Sequence, residues 1–485
     1  MDQINIKETA ISGLIWQMVE KIGVNGVQLL IYVILARLLV PEDFGIVALV
    51  TAFVAVSDLL VNSGLGTALV QSKKVDETDY SSVFYVSFFL SCVLYIILFI
   101  TAPLIAKFYD KPIIVGVLRM YAISIIFFAI NGVQKSILLR EMKFKKIFLV
   151  STIPVLISGV ISIVMAILGF GVYALVFNSV ASGLFSTVVF WIIVRWKPRL
   201  VFSKNRLREL FAFSYKLLLA NLLETGYKNL YPLVIGKAFN STLLGYYNYG
   251  RQIPNLITSS INASITSVVF PIYSRSQSDK EKLKSMVRQS ITLSNFVIFP
   301  IMAGLAAVAE TLVTVVLTKK WLLSVPYIQL FCIVYGLHHL QNINFQAISA
   351  TGRSGIFLRY EIIKKIIGVI LLITTLPFGI VALVIGQVIA AVISVIINFR
   401  PNIIWLNYSV TEQLRDFLPY LLISILMFGG VRIISLLGFG ALITLILQVI
   451  MGTIIYVAMA LALKLKGFQS ILEILKMYAN TRKNT

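Results

Sequence analysis

The chain has 485 residues, 59% of them hydrophobic and only 13% charged, with a mean hydropathy of +0.92. A soluble domain carries nearer a quarter charged residues and needs polar outer helix faces, so a large soluble globule is excluded. The net charge of +22 lies in short gaps between apolar runs, which excludes a nucleic-acid partner, and two dispersed cysteines, Cys92 and Cys332, exclude a disulfide framework or metal cluster.

A helix needs about 20 apolar residues to cross a bilayer, and this chain supplies that length repeatedly. The opening residues, Met1 to Glu8, lack the basic stretch of a secretory leader, and the first apolar run is too long for one, so no cleavable leader is expected. Helices are predicted over 11–37, 43–70, 80–106, 112–134, 147–168, 171–194 and 209–236. They continue over 241–273, 289–317, 322–350, 356–376, 378–399, 416–435 and 438–463, about fourteen transmembrane helices in all. The gaps are short. The stretch Ser276–Gln289 reads as a solvated cytoplasmic helix turn whose charges need no partner. Trp191, Trp196, Trp321 and Trp405 fall near helix ends, as an interfacial aromatic belt requires.

With the N-terminus placed in the cytoplasm, inside segments hold 28 of the 42 Lys and Arg and outside segments hold 7. The inside set includes Lys7, Lys73, Lys74, Arg353, Lys476, Arg482 and Lys483. This asymmetry predicts cytoplasmic placement of both termini.

The chain also repeats itself. Val61–Val70 lies over Ile261–Phe270 at an offset of 200, pairing Asn62 with Asn262, and Gly45 aligns with Gly245 at the same offset. Phe170–Val176 matches Phe378–Val384 at an offset of 208. Six helices per repeat make the repeats parallel, with a site expected at their interface near the midplane. The expected organisation is an N-lobe over 1–200, a C-lobe over 201–408, a final helix pair over 409–466 and a cytoplasmic tail over 467–485. Two rocking lobes suit alternating access, and no filter-like motif suggests a fixed pore.

The informative ionisable groups inside predicted helices are nine: Glu20, Lys21, Asp58, Arg119, Lys216, Glu224, Lys228, Arg251 and Glu310. At about 2.5–3.5 kcal/mol each, they would cost roughly 25 kcal/mol if all faced lipid. They must therefore meet partners or water. Gln17, Lys21, Asn25 and Gln28 form one stripe of the first helix, with Glu20 on another face. Lys216, Glu224, Lys228 and Tyr231 form a stripe on the seventh. Glu224 and Lys228 can also pair with each other at i, i+4, so a structural ion pair and a substrate or coupling role both stand open. His338, Asn342 and Gln346 share a face of the tenth helix. That face reads as a polar cavity wall, with proton relay as an alternative and no carboxylate or Cys nearby to complete a metal site. Lys364 and Lys365 are expected to snorkel to the headgroups. There is no phosphate-binding loop for nucleotide hydrolysis. The Gly64–Gly66 and Gly169–Gly171 pairs lack the strand–helix context of dinucleotide binding.

The segment Leu35-Ala-Arg-Leu-Leu-Val-Pro-Glu-Asp-Phe-Gly45, followed by Gly64-Leu-Gly-Thr-Ala-Leu-Val-Gln71, resembles the polysaccharide transporter family. These are Wzx-type flippases of the multidrug/oligosaccharidyl-lipid/polysaccharide superfamily, and the likeness is to the colanic- and teichuronic-acid exporter branch. Physically, the motif is a tight turn in which Pro41 stops one helix and Asp43 caps the next. The resemblance implies an all-α polytopic membrane protein of two six-helix lobes plus a C-terminal pair, and a transporter rather than an enzyme. It implies export of undecaprenyl-diphosphate-linked oligosaccharide across a bacterial cytoplasmic membrane. Pathway polymerase, glycosyltransferases and membrane lipids are the implied partners, and no cofactor beyond a coupling H+ or Na+. Cavity cations answering the diphosphate would be Lys21, Arg119, Lys216, Lys228 and Arg251. Ion coupling would fall to Glu20, Asp58, Glu224 or Glu310, and the polar wall to Gln17, Asn25, His338 and Asn342. The final helix pair could shape a groove for the lipid tail. Standing alternatives are a cation-coupled drug exporter, a lipid II flippase, a membrane polymerase or ligase, and a scaffold for glycosyltransferases.

Overall fold

The computed structural model describes residues 3–62, 65–72, 75–277, 279–350 and 354–470. Gly64, Lys73, Lys74, Arg353, Lys476, Arg482 and Lys483 lie outside these, as do the side chains of Lys7, Gln17 and Arg275. Among the described residues there is no strand. The helices are α1 (Gln3–Leu38), α2 (Pro41–Asn62), α3 (Leu65–Gln71), α4 (Glu77–Phe108), α5 (Ile114–Arg140), α6 (Phe144–Ile167), α7 (Val172–Val194), α8 (Lys204–Ala238), α9 (Ser241–Arg275), α10 (Lys280–Leu312), α11 (Val325–Ala350), α12 (Ser354–Thr375), α13 (Ile380–Leu406), α14 (Val410–Ile434) and α15 (Ala441–Ala462). Counting α3 with α2, every predicted helix has its counterpart. Among the described residues, ten helical segments are long and apolar enough to cross a membrane. The other long helices, α1, α8, α9 and α12, are those with charged or polar side chains through their length.

Local chemistry explains the helix ends. Pro41 opens α2, where its missing N–H costs nothing. Asp43 reaches back to accept the Val40 N–H at 3.2 Å. Asp76 and Asp79 form a reciprocal capping box at the start of α4, and Ser409 and Glu412 do the same for α14. Gly171 and Gly379, paired by the repeat, precede α7 and α13 with φ of +54° and +93°. A side chain would strain both positions, so the repeated Phe-Gly is one turn used twice.

The chain divides into two compact units, Met1–Asn248 and Tyr249–Thr485. The first unit includes α8, which packs on α2 and α3. In the first unit α4 packs on α5, α6 on α7, and α5 on α7. In the second, α10 packs on α11, α12 on α13, and α11 on α13. That recurrence carries the repeat beyond sequence likeness.

Polarity runs inward, as lipid solvent demands. On α15 the buried residues are Thr444, Gln448, Gly452, Tyr456 and Ala460, one stripe at i+4 spacing. Ile443, Ile446, Ile450 and Ile454 are exposed. Trp321 departs from the expected aromatic belt: it is fully buried, 4.5 Å from Tyr249. Lys364 does not snorkel. It is buried and ion-paired with Glu361 one turn away.

Within the first unit the repeat meets itself. A methyl group on Gly45 would stand 1.7 Å from the Ser241 carbonyl oxygen, and one on Gly245 1.9 Å from that of Pro41. The contact is reciprocal because the partners share the 200-residue offset. Gly45→Ala is therefore expected to force two backbones apart and to cost about 1–3 kcal/mol. Gly66→Ala, whose nearest neighbour is Ser136 Oγ at 3.5 Å, should cost far less. Thermal melting of the purified variants checks this, and equal melting would contradict the close crossing.

Candidate functional site

A cavity of about 690 Å³ lies inside the first unit, among α1, α2, α3, α5, α6 and α7. Its charged lining is Glu20, Asp58 and Lys135, with Gln28, Asn62 and Asn131 among the polar groups. The walls are built from each helix's small and polar residues. Asn62 donates to the Asp58 carboxylate at 2.6 Å. Gly132 makes room for this, since a methyl group there would stand 2.5 Å from Asn62 Oδ1. Ser136 donates to the carbonyls of Gly132 (2.9 Å) and Gly66 (3.2 Å), holding α3 against α5. Buried Asn131 donates to Gly183 at 3.4 Å, while its Oδ1 has no partner among the described residues. Lys135 is the cation whose field reaches Asp58. The cavity thus carries two carboxyl side chains against one amine.

A second site of charge occupies the second unit. Arg288 on α10 donates from Nε to Asp416 at 2.6 Å and from Nη2 at 3.0 Å, and it meets Glu412 at 3.1 Å. Lys284 adds a contact to Glu412 at 3.0 Å. The Tyr408 hydroxyl donates to Asp416 at 2.8 Å, and Asn295 donates to the Asp416 carbonyl at 3.0 Å. Burial, reinforced by the Asp416 charge, pushes the Tyr408 phenol well above its ordinary range, so it remains a neutral donor. His339 extends the network through Asn295 at 2.8 Å. The charges of the Ser276–Gln289 stretch are thus not idle. From Lys280 onward it belongs to α10, and Lys284 and Arg288 fasten that helix to α14.

A model of the polysaccharide biosynthesis protein family matches residues 34–326, more than half of the chain. The chain belongs to this family. The teichuronic acid biosynthesis protein TuaB of Bacillus subtilis is 24% identical over 353 residues, covering 72% of this chain and 73% of the relative. The lipopolysaccharide biosynthesis protein WzxC of Escherichia coli is 22% identical over 398 residues, covering 82% and 79%. The fold is similar to that of the lipid II flippase MurJ in an inward closed conformation, with a TM-score of 0.72 at 17% identity, covering 93% of this chain and 98% of that one. The chain is therefore an all-α, multi-pass membrane protein with the fold that its sequence resemblance implies.

The structure places the residues singled out from sequence as follows. Glu20 and Asp58 share the first cavity. Lys21 is exposed and Asn25 half-buried, and neither lines that cavity; the lining stripe of α1 is Glu20, Val24 and Gln28. None of the five expected cations lines it either. Arg119 lies 4.0 Å over the Phe99 ring and donates to the Phe99 carbonyl at 3.2 Å, so it packs α5 on α4. Lys216 is exposed, 5.9 Å from the Tyr215 ring. Lys228 pairs with Glu224 at 3.2 Å, and both stay largely exposed. Arg251 is half-buried on α9. Glu310 pairs with Arg432 at 3.2 Å beside a cleft of about 660 Å³. His338 is exposed near Tyr335. Asn342 donates to Thr266 at 2.9 Å and accepts from Gln346 at 3.4 Å, a short polar row.

Sequence reasoning missed Asn131, Lys135 and the Arg288–Asp416 network. For the network a signal was present: Lys284 and Arg288, and Glu412 and Asp416, are complementary charge pairs each spaced i, i+4.

Proposed function

We propose that the chain carries an undecaprenyl-diphosphate-linked oligosaccharide across the bacterial cytoplasmic membrane by alternating access. The observation that carries this reading is the family match over residues 34–326. The positive-inside asymmetry supports a cytoplasmic position for both termini. H+ or Na+ couples transport at the Glu20–Asp58 cavity, whose carboxylate excess favours a cation over the anionic cargo. The diphosphate is met by Lys21, Lys216, Lys228 and Arg251, since Arg119 is engaged with Phe99. Pathway polymerase and glycosyltransferases hand over and receive the cargo.

The reading is tested in everted membrane vesicles that synthesise the lipid-linked saccharide on their outer face. Vesicles with the chain should move it into a pool protected from added glycosidase. Equal protection without the chain would contradict transport. The acidic cavity also suits a cation-driven drug exporter, which would instead show drug accumulation and no saccharide protection.

Lys228→Gln separates two roles for the Glu224 pair. An exposed i, i+4 pair contributes only a few tenths of a kcal/mol, about 0.3–0.5, so the variant should reach the membrane at normal level. Surface polymer should fall nonetheless. Normal polymer at normal protein level would remove Lys228 from the cargo path, and loss of protein would mark the pair as structural.

A further inference from the structure

The segment between α7 and α8 carries a feature that transport does not use. Residues 195–203 have no regular secondary structure, yet they are tied down. The Arg199 N–H donates to Ser81 Oγ at 3.0 Å and the Ser203 N–H to Ser82 Oγ at 2.9 Å. Trp196 donates to Glu77 at 3.0 Å and packs its ring against Phe84 and Tyr80 at 5.9 and 6.3 Å. The segment is a strap fixed along the start of α4.

From this strap Leu200, Val201 and Phe202 project outward, 95%, 39% and 61% exposed. Three successive exposed apolar residues in a fixed segment are a pattern that water-facing surfaces avoid. Five exposed cations frame them: Arg195, Lys197, Arg199, Lys204 and Arg208. Among the described residues none of the five has an acidic partner. Arg206, by contrast, is held by Asp79 at 3.2 Å. The strap leaves the membrane-crossing helix α7 at Val194, so it starts at headgroup level.

We propose that this strap is an anchor for anionic lipid. Leu200 and Phe202 enter the leaflet below the headgroups, and the five cations bind lipid phosphates around them. The net positive charge selects anionic over zwitterionic headgroups. Each cation contributes about fivefold to attraction towards an anionic surface. The anchor thereby fixes to the bilayer the segment that joins the two sequence repeats.

The test uses the full chain with Cys92 and Cys332 replaced by alanine and Leu200→Cys carrying an NBD label. The protein is placed in nanodiscs of phosphatidylcholine alone or with about 30% phosphatidylglycerol. The anchor predicts blue-shifted emission and about tenfold slower reduction by dithionite in the anionic discs. Both effects should fade at about 0.5 M NaCl, which screens surface charge without altering the fold. They should also fade when the five cations are replaced by Gln, and Phe202→Cys should report the same. A label equally reactive in both discs would overturn the proposal, whether because the strap faces water or because it faces an acidic protein partner. Equal protection in both discs would overturn it as well, since insertion would then owe nothing to anionic lipid.

Discussion

Asp416→Ala is expected to lower the apparent melting midpoint of the purified protein by several degrees and to reduce its level in the membrane. The Asp416 side chain is only 10% exposed and holds Arg288 in a two-point contact. Removing it leaves the guanidinium, which is 30% exposed, with Glu412 alone, and leaves the Tyr408 hydroxyl without its acceptor. Breaking a buried pair costs about 3–5 kcal/mol; the exposure of Arg288 brings this to roughly 2–4 kcal/mol. Arg288→Ala strands Asp416 in turn. The double variant should lose less than the sum of the two singles, because the two-point contact they share is lost only once. Additive losses would show that the two side chains act independently.

Asp58→Asn is expected to leave protein level and melting unchanged while cutting surface polymer roughly tenfold or more. An asparagine at 58 can still accept from Asn62, so the wall of the cavity is kept. What it loses is the carboxylate that the proposed coupling requires. Glu20→Gln should act in the same direction, and Glu310→Gln, facing Arg432 in another cleft, should not. Normal polymer output from the Asp58 and Glu20 variants would remove the cavity from coupling.

Much of the architecture was legible because lipid rewards one signal, the length of apolar runs, and turns punctuate it. Pro41, Gly171 and Gly379 mark helix starts in the sequence and in the structure. Helix ends beyond the apolar run were less legible. The apolar runs that mark α10 and α14 begin at 289 and 416, whereas both helices start earlier in charged sequence, where hydropathy is silent. That offset hid the Arg288–Asp416 contact, because its partners fell at predicted boundaries.

The carboxylates lining the first-unit cavity were legible in residue type but not in helical phase. Gln28 lies eight residues from Glu20 and seven from Lys21, and both spacings return to one helix face. Polarity favoured Lys21, yet the cavity stripe runs through apolar Val24 to Glu20. Lys228 and Glu224 could be paired from sequence, because that contact is local to one helix. Asn131 and Lys135 could not be placed, because their role depends on which face of α5 meets α2.

Movement of a lipid-linked saccharide is best tested by mass spectrometry of that pool in the native host after depletion of the chain. One undecaprenyl-diphosphate oligosaccharide should accumulate at its complete repeat unit, together with loss of surface polymer. An unchanged pool and polymer, with new sensitivity to cationic drugs, would contradict it.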